Sequence, residues 1–180
     1  LIKNQTNEIN SNIKVIVSNH DTLKNIANQF NIDFCHIDTT KDKIKANEEL
    51  TKVLEEYNIN LVILARYMQI IPNNLVKSFK GKMINIHHAF LPAFKGGHAY
   101  HKAWERGVKI IGATAHYVTN ELDEGPIIAQ DVVSVNHHHS IPELINSGRN
   151  LERNVLVDAI RAHLENRVMI HGKRTIVFSK

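Results

Sequence analysis

Residues 60–88, NLVILARYMQIIPNNLVKSFKGKMINIHH, predict a strand, a short helix and a second strand in succession. Residues 60–65 are mostly consecutive apolar side chains, which is typical of a strand that is buried on both faces of a parallel sheet. Pro72 and Asn73 open the helix, which runs to Phe79. The second strand covers residues 83–87. A strand, a crossover helix and another strand in this order indicate that the two strands share one sheet.

The same alternation continues on both sides of this unit. Short apolar runs predict strands at residues 14–18, 32–37, 110–118 and 127–135. Amphipathic patterns predict a helix after Asp21, which serves as its cap, and further helices at residues 41–57 and 98–106. A long helix near the end is marked by Leu151, Val155, Ala159, Ile160 and Leu164. The expected fold class is α/β, an open, mostly parallel, Rossmann-like sheet with helices on both faces.

Length and composition restrict the class of protein. The 180 residues allow one domain of ordinary size, and 43% apolar with 22% charged residues is typical of a globular chain. No apolar run approaches the roughly 20 residues of a membrane helix, so no membrane partner is expected. The lone Cys35 cannot form an internal disulfide, and the start does not resemble a signal peptide. We therefore expect a cytoplasmic protein in which Cys35 contributes packing.

The charge balance does not favour a nucleic-acid partner. Lys and Arg number 22 against 18 Asp and Glu, a formal charge of +4. The basic residues are scattered among acidic ones, as in residues 41–56, so no continuous track for phosphates forms. A nucleic-acid-binding module stays an alternative, and it predicts strongly salt-dependent affinity. The twelve histidines are more informative, because imidazole transfers protons near neutral pH.

The densest group of reactive residues is NIHHAFLP, residues 85–92. Asn85 and His87 are two apart on a strand, so they point to one face, whereas alternation directs His88 away. An amide donor beside an imidazole suits acyl chemistry, in which the amide stabilises an oxyanion and the imidazole handles a proton. The alternative is that both side chains only satisfy backbone groups at a strand end.

Two further segments are weaker alone. Thr114 and His116 share one face of a strand, although a single strand histidine is usually structural. Asp123 lies in LDEGP, residues 122–126, whose composition favours a turn and whose carboxylate could orient an imidazole or a water. Neither His98 with His101 nor the run at residues 137–139 has the spacing of a metal site, so we expect none.

Glycine positions exclude one common site. None of the eight glycines lies in the first 80 residues, where a phosphate-binding loop of a nucleotide-binding fold would be placed. The chain also begins with Leu1, and its first strand comes late. We therefore expect a preceding segment in the natural protein.

Taken together, NIHHAFLP, TAHYV at residues 114–118 and LDEGP resemble the folate-dependent formyltransferase superfamily. Within it, LARYM at residues 64–68 and ERGVKIIGATAH at residues 105–116 are most similar to the formyltetrahydrofolate deformylases. The likeness extends from about residue 13 to the end. Ala89, where serine is usual, and Gln69, where some members have arginine, depart from the pattern.

The resemblance implies the formyltransferase fold and hydrolysis of 10-formyltetrahydrofolate to tetrahydrofolate and formate, which supplies purine synthesis. It implies a small-molecule folate substrate, no cofactor and a homo-oligomer. Asn85, His87 and Asp123 match the catalytic trio, and His116 matches the histidine that pairs with the aspartate. A segment near the folate pterin matches Arg66, Tyr67, Met68, Gln69, Ile70 and Ile71. Residues 1–180 would form the catalytic domain, without its first strand and helix and without an upstream ACT domain.

Three relatives of different function stay open as alternatives. A phosphoribosylglycinamide formyltransferase would share the trio but needs a phosphate-holding loop after its first strand. A methionyl-tRNA formyltransferase needs a second domain and does not match at His116. A folate-binding module without catalysis would bind the substrate and not turn it over.

Overall fold

A computed structural model describes residues 1–67, 69–92 and 99–179 and has the expected α/β architecture. The helices are α1 (Ile2–Gln5), α2 (Lys24–Gln29), α3 (Lys43–Glu56), α4 (Asn73–Ser78), α5 (Ala99–Glu105) and α6 (Ile141–Leu164). The strands are β1 (Val15–Ser18), β2 (Asp33–His36), β3 (Val62–Leu64), β4 (Met83–His87), β5 (Ile110–Tyr117), β6 (Ile127–Ser134), β7 (Val168–His171) and β8 (Arg174–Val177).

The chain divides into two compact units, and the first comprises Leu1–Asn60 with Ile71–Leu75. In this unit β1 pairs in parallel with β2, and α3 buries Ala46 and Val53 against Ile37. The Asp42 carboxylate caps α3 by accepting hydrogen bonds from the first-turn backbone. Asp21 makes no such cap, because it begins a short 3-10 turn that precedes α2.

The second unit, Leu61–Ile70 with Val76–Lys180, contains a four-stranded sheet in the order β3-β4-β5-β6. β3, β4 and β6 run in one direction, and β5 runs against both of its neighbours. β5 and β6 are joined by a loop without a helix, which suits antiparallel neighbours. Val62 and Ile63 are half-buried rather than buried, since β3 pairs with β4 alone within the described residues.

The core of this unit lies between the sheet and α6. Leu151, Val155 and Ala159 of the helix pack against apolar residues of the strands, namely Ile84, Ile86, Ala113, Ala115, Tyr117 and Ile128. Ser140 and Glu143 form a capping box that starts the helix. The helix therefore covers one face of β4 and β5. On both strands, the residues that alternate with these core residues point to the opposite face of the sheet.

A hairpin of β7 and β8 follows α6, and the sequence analysis did not anticipate it. Its strands have four residues each, and Gly172 turns between them with φ of 62°. Thr175 donates a hydrogen bond to the carbonyl of Ile127, which ties the hairpin to β6. None of the helices formed by the described residues is long and apolar enough to cross a membrane.

Candidate active site

The side chains of Asn85 and His87 lie on the face of β4 that α6 does not cover. The register pairs Asn85 with His116 and His87 with Thr114 across the antiparallel β4 and β5. Residues directly opposite in such a pair point to the same face. Two adjacent rows of polar side chains therefore share one side of the sheet, as the spacing of Asn85 and His87 predicted for β4.

The loop at residues 118–126 brings Asp123 close to the side chains of these two rows. Its last part lies so close to β5 that a Cβ on Gly125 would stand 1.6 Å from the carbonyl oxygen of Tyr117. The Tyr117 N–H also donates to the Pro126 carbonyl at 2.9 Å. The segment at residues 122–126 is a turn, as its composition predicted, and it carries a carboxylate into the site as well.

Asp123 lies between two imidazoles. Its Oδ2 is 3.3 Å from His87 Nδ1 and its Oδ1 is 3.7 Å from His116 Nε2. The carboxylate side chain is only 10% exposed. A buried carboxylate requires partners that carry positive charge or donate hydrogen bonds. His87 meets that requirement at the shorter distance, and His116, the partner that the resemblance implies, meets it when its ring is protonated.

His116 is held in one orientation by the backbone. Its Nδ1 donates to the Tyr117 carbonyl at 2.9 Å, because a carbonyl can only accept. In the neutral ring Nε2 then has a lone pair, which accepts from the Asn85 amide nitrogen at 3.3 Å. In the protonated ring the same nitrogen would donate to Asp123 instead. Nε2 is thus a position where a proton can be held or released.

His88 does not point away from His87 as strand alternation predicted. The two rings stack, with centroids 4.9 Å apart and planes 24° apart. β4 ends at His87, so His88 belongs to the chain beyond the strand and the alternation no longer applies. The expectation for His88 is therefore wrong.

The segment at residues 66–71 begins where the chain leaves the sheet after β3. β3 ends at Leu64, which pairs with Asn85, so the segment departs at the edge toward which β4 also runs. Burial raises the pKa of Tyr67, whereas Gln69 is exposed and Ile70 is 82% exposed. Ile71 is buried and belongs to the first unit. Met68 lies outside the described residues.

Backbone conformation singles out two of the sequence candidates. Six described residues other than glycine have positive φ, and four of them are asparagines, which tolerate it. The other two are Arg66, with φ of 56°, and Asp123, with φ of 55°. Such left-handed residues concentrate at functional sites. Arg66 is the more unusual of the two, because aspartate tolerates a positive φ better than arginine does.

Among the described residues, the histidines outside this cluster form no further centre. Across the three described ranges, no group of three or more His, Cys, Asp or Glu residues could hold a metal ion. His101, His137 and His138 are exposed. His98 lies outside the described residues.

Known proteins resemble this chain over nearly its full length. A family model described as formyl transferase matches residues 1–160. A formyltetrahydrofolate deformylase of Synechocystis sp. is 52% identical over 97% of this chain and 62% of its own length. One of Bacillus subtilis is 46% identical over 97% of this chain and 59% of its own length. The chain thus spans about three fifths of these curated relatives.

Solved structures share the fold. A formyltetrahydrofolate deformylase from Pseudomonas syringae pv. tomato has a TM-score of 0.96 and 44% identity, covering 99% of this chain and 60% of that one. Glycinamide ribonucleotide transformylase 1 from Symbiobacterium toebii has a TM-score of 0.91 and 31% identity, covering 99% and 86%. With the family model matching residues 1–160, these findings show that the chain belongs to the formyl transferase family.

Proposed function

We propose that this chain is the catalytic part of a formyltetrahydrofolate deformylase, which hydrolyses 10-formyltetrahydrofolate to tetrahydrofolate and formate. One observation carries the proposal. The buried carboxylate of Asp123 lies between His87 and His116, with the Asn85 amide beside them. This is a set of groups that can accept, hold and return a proton next to a hydrogen-bond donor.

The reaction requires both a proton acceptor and an oxyanion donor. When water attacks the formyl carbon, the carbonyl oxygen becomes an oxyanion, and the Asn85 amide with a protonated His87 stabilises it. The pair of Asp123 and His116 accepts the proton of the attacking water. That proton then passes to the nitrogen of tetrahydrofolate as the carbon–nitrogen bond breaks. Formate leaves with the original carbonyl oxygen and the oxygen of water, and the proton of its remaining hydroxyl is released to the solvent.

We assign substrate contact to Arg66, Tyr67, Met68, Gln69 and Ile70; Ile71, which the resemblance also indicates, belongs to the first unit. The described part of this segment follows β3 at the edge where β4 carries Asn85 and His87. An isoleucine as exposed as Ile70 is available for apolar contact with a planar ring. Ala89, which stands where serine is usual in the family that the chain resembles, is buried.

A phosphoribosylglycinamide formyltransferase is the second candidate. The Symbiobacterium toebii transformylase shares the fold, and this chain covers 86% of it. Both reactions attack the same formyl carbon, and they differ in whether water or an amine attacks. Identities of 52% and 46% to deformylases, against 31% to the transformylase, favour water. The homo-oligomer and the additional N-terminal segment stay predictions.

The assay that tests the proposal follows tetrahydrofolate and formate from 10-formyltetrahydrofolate, with and without glycinamide ribonucleotide. We expect both products without the amine. Strict dependence on the amine would identify a transferase. Binding of the folate without turnover would identify a non-catalytic module. An Asp123→Asn variant that keeps its circular dichroism spectrum provides the inactive control.

A further inference from the structure

The three residues that follow His88 are fastened to the neighbouring strands. We call residues 89–91 the exit segment, because there the chain leaves the end of β4. The Thr114 hydroxyl donates to the Ala89 carbonyl at 2.9 Å and accepts from the Leu91 N–H at 3.0 Å. Thr114 has no solvent exposure. Its hydroxyl therefore makes these bonds without competition from water.

Gln130 completes the attachment from the next strand. Its Nε2 donates to Thr114 Oγ1 at 2.9 Å and to the Leu91 carbonyl at 3.1 Å. A hydroxyl has one hydrogen to donate and two lone pairs to accept with, so that of Thr114 is saturated. The strand registers place Thr114 opposite both His87 and Gln130. These three residues form one row across β4, β5 and β6, on the face that carries the site.

A close steric contact indicates the same position of the exit segment, independently of these hydrogen bonds. A Cβ on Gly112 would lie 2.6 Å from Phe90 Cβ and 3.3 Å from Phe90 Cα. Gly112 is two residues before Thr114 on β5, hence on the same face. The exit segment thus lies directly on the backbone of β5. Any side chain at position 112 would displace it.

We propose that Gln130 is a positioning residue for the reaction, acting through Thr114 and the exit segment on His87. The inference rests on the proposed function. His87 Nδ1 is 3.3 Å from Asp123, so a small displacement would end their interaction. Misplacement of a reacting group by about 1 Å can lower a rate about 100-fold. Gln130 itself is only half-buried and lies away from the apolar core.

The first test compares Gln130→Met, which keeps the length of the side chain and removes both donors, with Ser134→Ala. Ser134 is exposed, lies on the same strand and, by alternation, on the same face. We expect Gln130→Met to lower kcat by about 10-fold to 100-fold with KM changed less than about threefold, because orientation and not binding is lost. Ser134→Ala should keep both constants.

The second test asks whether Gln130 and Thr114 act as one unit. Thr114→Val should lose activity as Gln130→Met does, and Thr114→Ser should retain most of it. The double variant of Gln130→Met and Thr114→Val should be about as slow as either single variant. If the losses of activity of the two single variants multiplied in the double variant, the proposal would be overturned. A loss of activity that is explained by a smaller folded fraction would overturn it as well.

A third measurement needs no activity and separates this inference from the proposed function. Hydrogen exchange of the Leu91 amide should be faster in Gln130→Met than in the unmodified chain. The reason is that Gln130 holds Thr114 Oγ1, which accepts the hydrogen bond from the Leu91 N–H. If the unmodified chain does not hydrolyse the folate, the proposed function fails and the exchange result still reports on the attachment. Unchanged Leu91 exchange would refute the role of Gln130 whatever the activity.

Discussion

The two faces of β5 are equally buried and chemically opposite. On one face Ala113 and Ala115 have no exposure and pack against α6. On the other face Thr114 has none either, and His116 has only 2%. Burial therefore does not distinguish the core from the candidate site. The difference lies in how polar groups are satisfied.

On the site face the side chains of Asn85, His87, Thr114 and His116 each contact a polar group of another strand or loop. On the α6 face Tyr117 makes a polar contact through its hydroxyl, which lies 2.8 Å from His163 Nδ1. Burial raises the pKa of Tyr117 to about 12, so the phenol keeps its proton and donates it to the imidazole. The comparison suggests that substitutions on the site face should change rate, and those on the α6 face should change stability.

The largest expected effect is on the site face, at Asp123 and His87. Asp123→Asn should lower kcat by about 100-fold to 10,000-fold, because it removes the proposed proton acceptor. His87→Ala should lower it by about 100-fold to 1,000-fold, because it removes a proposed oxyanion donor. Steady-state hydrolysis of 10-formyltetrahydrofolate measures both, with unfolding temperatures recorded in parallel.

Asp131→Asn is the matched control for Asp123→Asn. This carboxylate is exposed on β6, and it accepts a hydrogen bond from the adjacent Val132 N–H. Its removal should leave kcat unchanged. Near-normal turnover in Asp123→Asn or His87→Ala would remove that residue from the proposed mechanism.

An intermediate effect is expected at Gly125, where the loop that carries Asp123 meets β5. Gly125→Ala would place a methyl group 1.6 Å from the Tyr117 carbonyl oxygen, so the loop must move. We expect a loss of roughly 1–3 kcal/mol in unfolding free energy, together with slower hydrolysis. Urea denaturation and steady-state kinetics on one preparation measure the two losses.

Gly107→Ala separates these two consequences. Gly107 has φ of 61° and open space around its Cα, so an alanine there strains the backbone without a steric contact. It should lower stability and leave kcat unaltered. If Gly125→Ala behaved in the same way, the position of Asp123 would not depend on this close approach.

The smallest expected effect is on the α6 face. Burial, and secondarily the charge of Lys82, hold the pKa of His163 below its ordinary value. The unfolded chain therefore binds a proton at His163 at a higher pH than the folded chain does. Its contribution to stability is fully present above about pH 6.5 and is lost as the pH falls through the folded pKa.

Unfolding temperatures of the unmodified chain and of His163→Asn between about pH 7.5 and pH 5 measure this difference. The variant should lose less stability on acidification, with kcat near normal at neutral pH. An identical pH dependence in both proteins would show that His163 is not responsible.

The sequence predicted elements better than their arrangement. β4 has the predicted bounds, and the shared face of Asn85 and His87 follows from strand periodicity alone. The direction of β5 could not be predicted, because pairing depends on long-range closure of the sheet. Without that direction, nothing indicated that Thr114 lies opposite His87 or that Gln130 lies opposite Thr114. The orientation of His88 was missed because strand alternation ends where β4 ends. The β7–β8 hairpin was missed because its strands are very short.

The site itself was predicted in two different ways. The strand pattern supplied Asn85 and His87 as a pair, whereas Asp123 and His116 joined them through family resemblance. The proximity of all four in space depends on the close approach of Gly125 to the backbone of β5. A turn composition such as that of residues 122–126 does not reveal how closely the chain will approach its neighbour.

Tyr117 contacts both faces at once, since its side chain meets His163 while its carbonyl oxygen holds the His116 ring. Anyone redesigning the helix interface for thermal robustness would alter this residue at the risk of rotating an imidazole on the far side. Libraries aimed at the interface should therefore keep Tyr117 fixed and place their diversity on α6. Conversely, if a substitution in α6 changed the rate, the short path through the covalent structure of Tyr117 to the His116 ring would explain it.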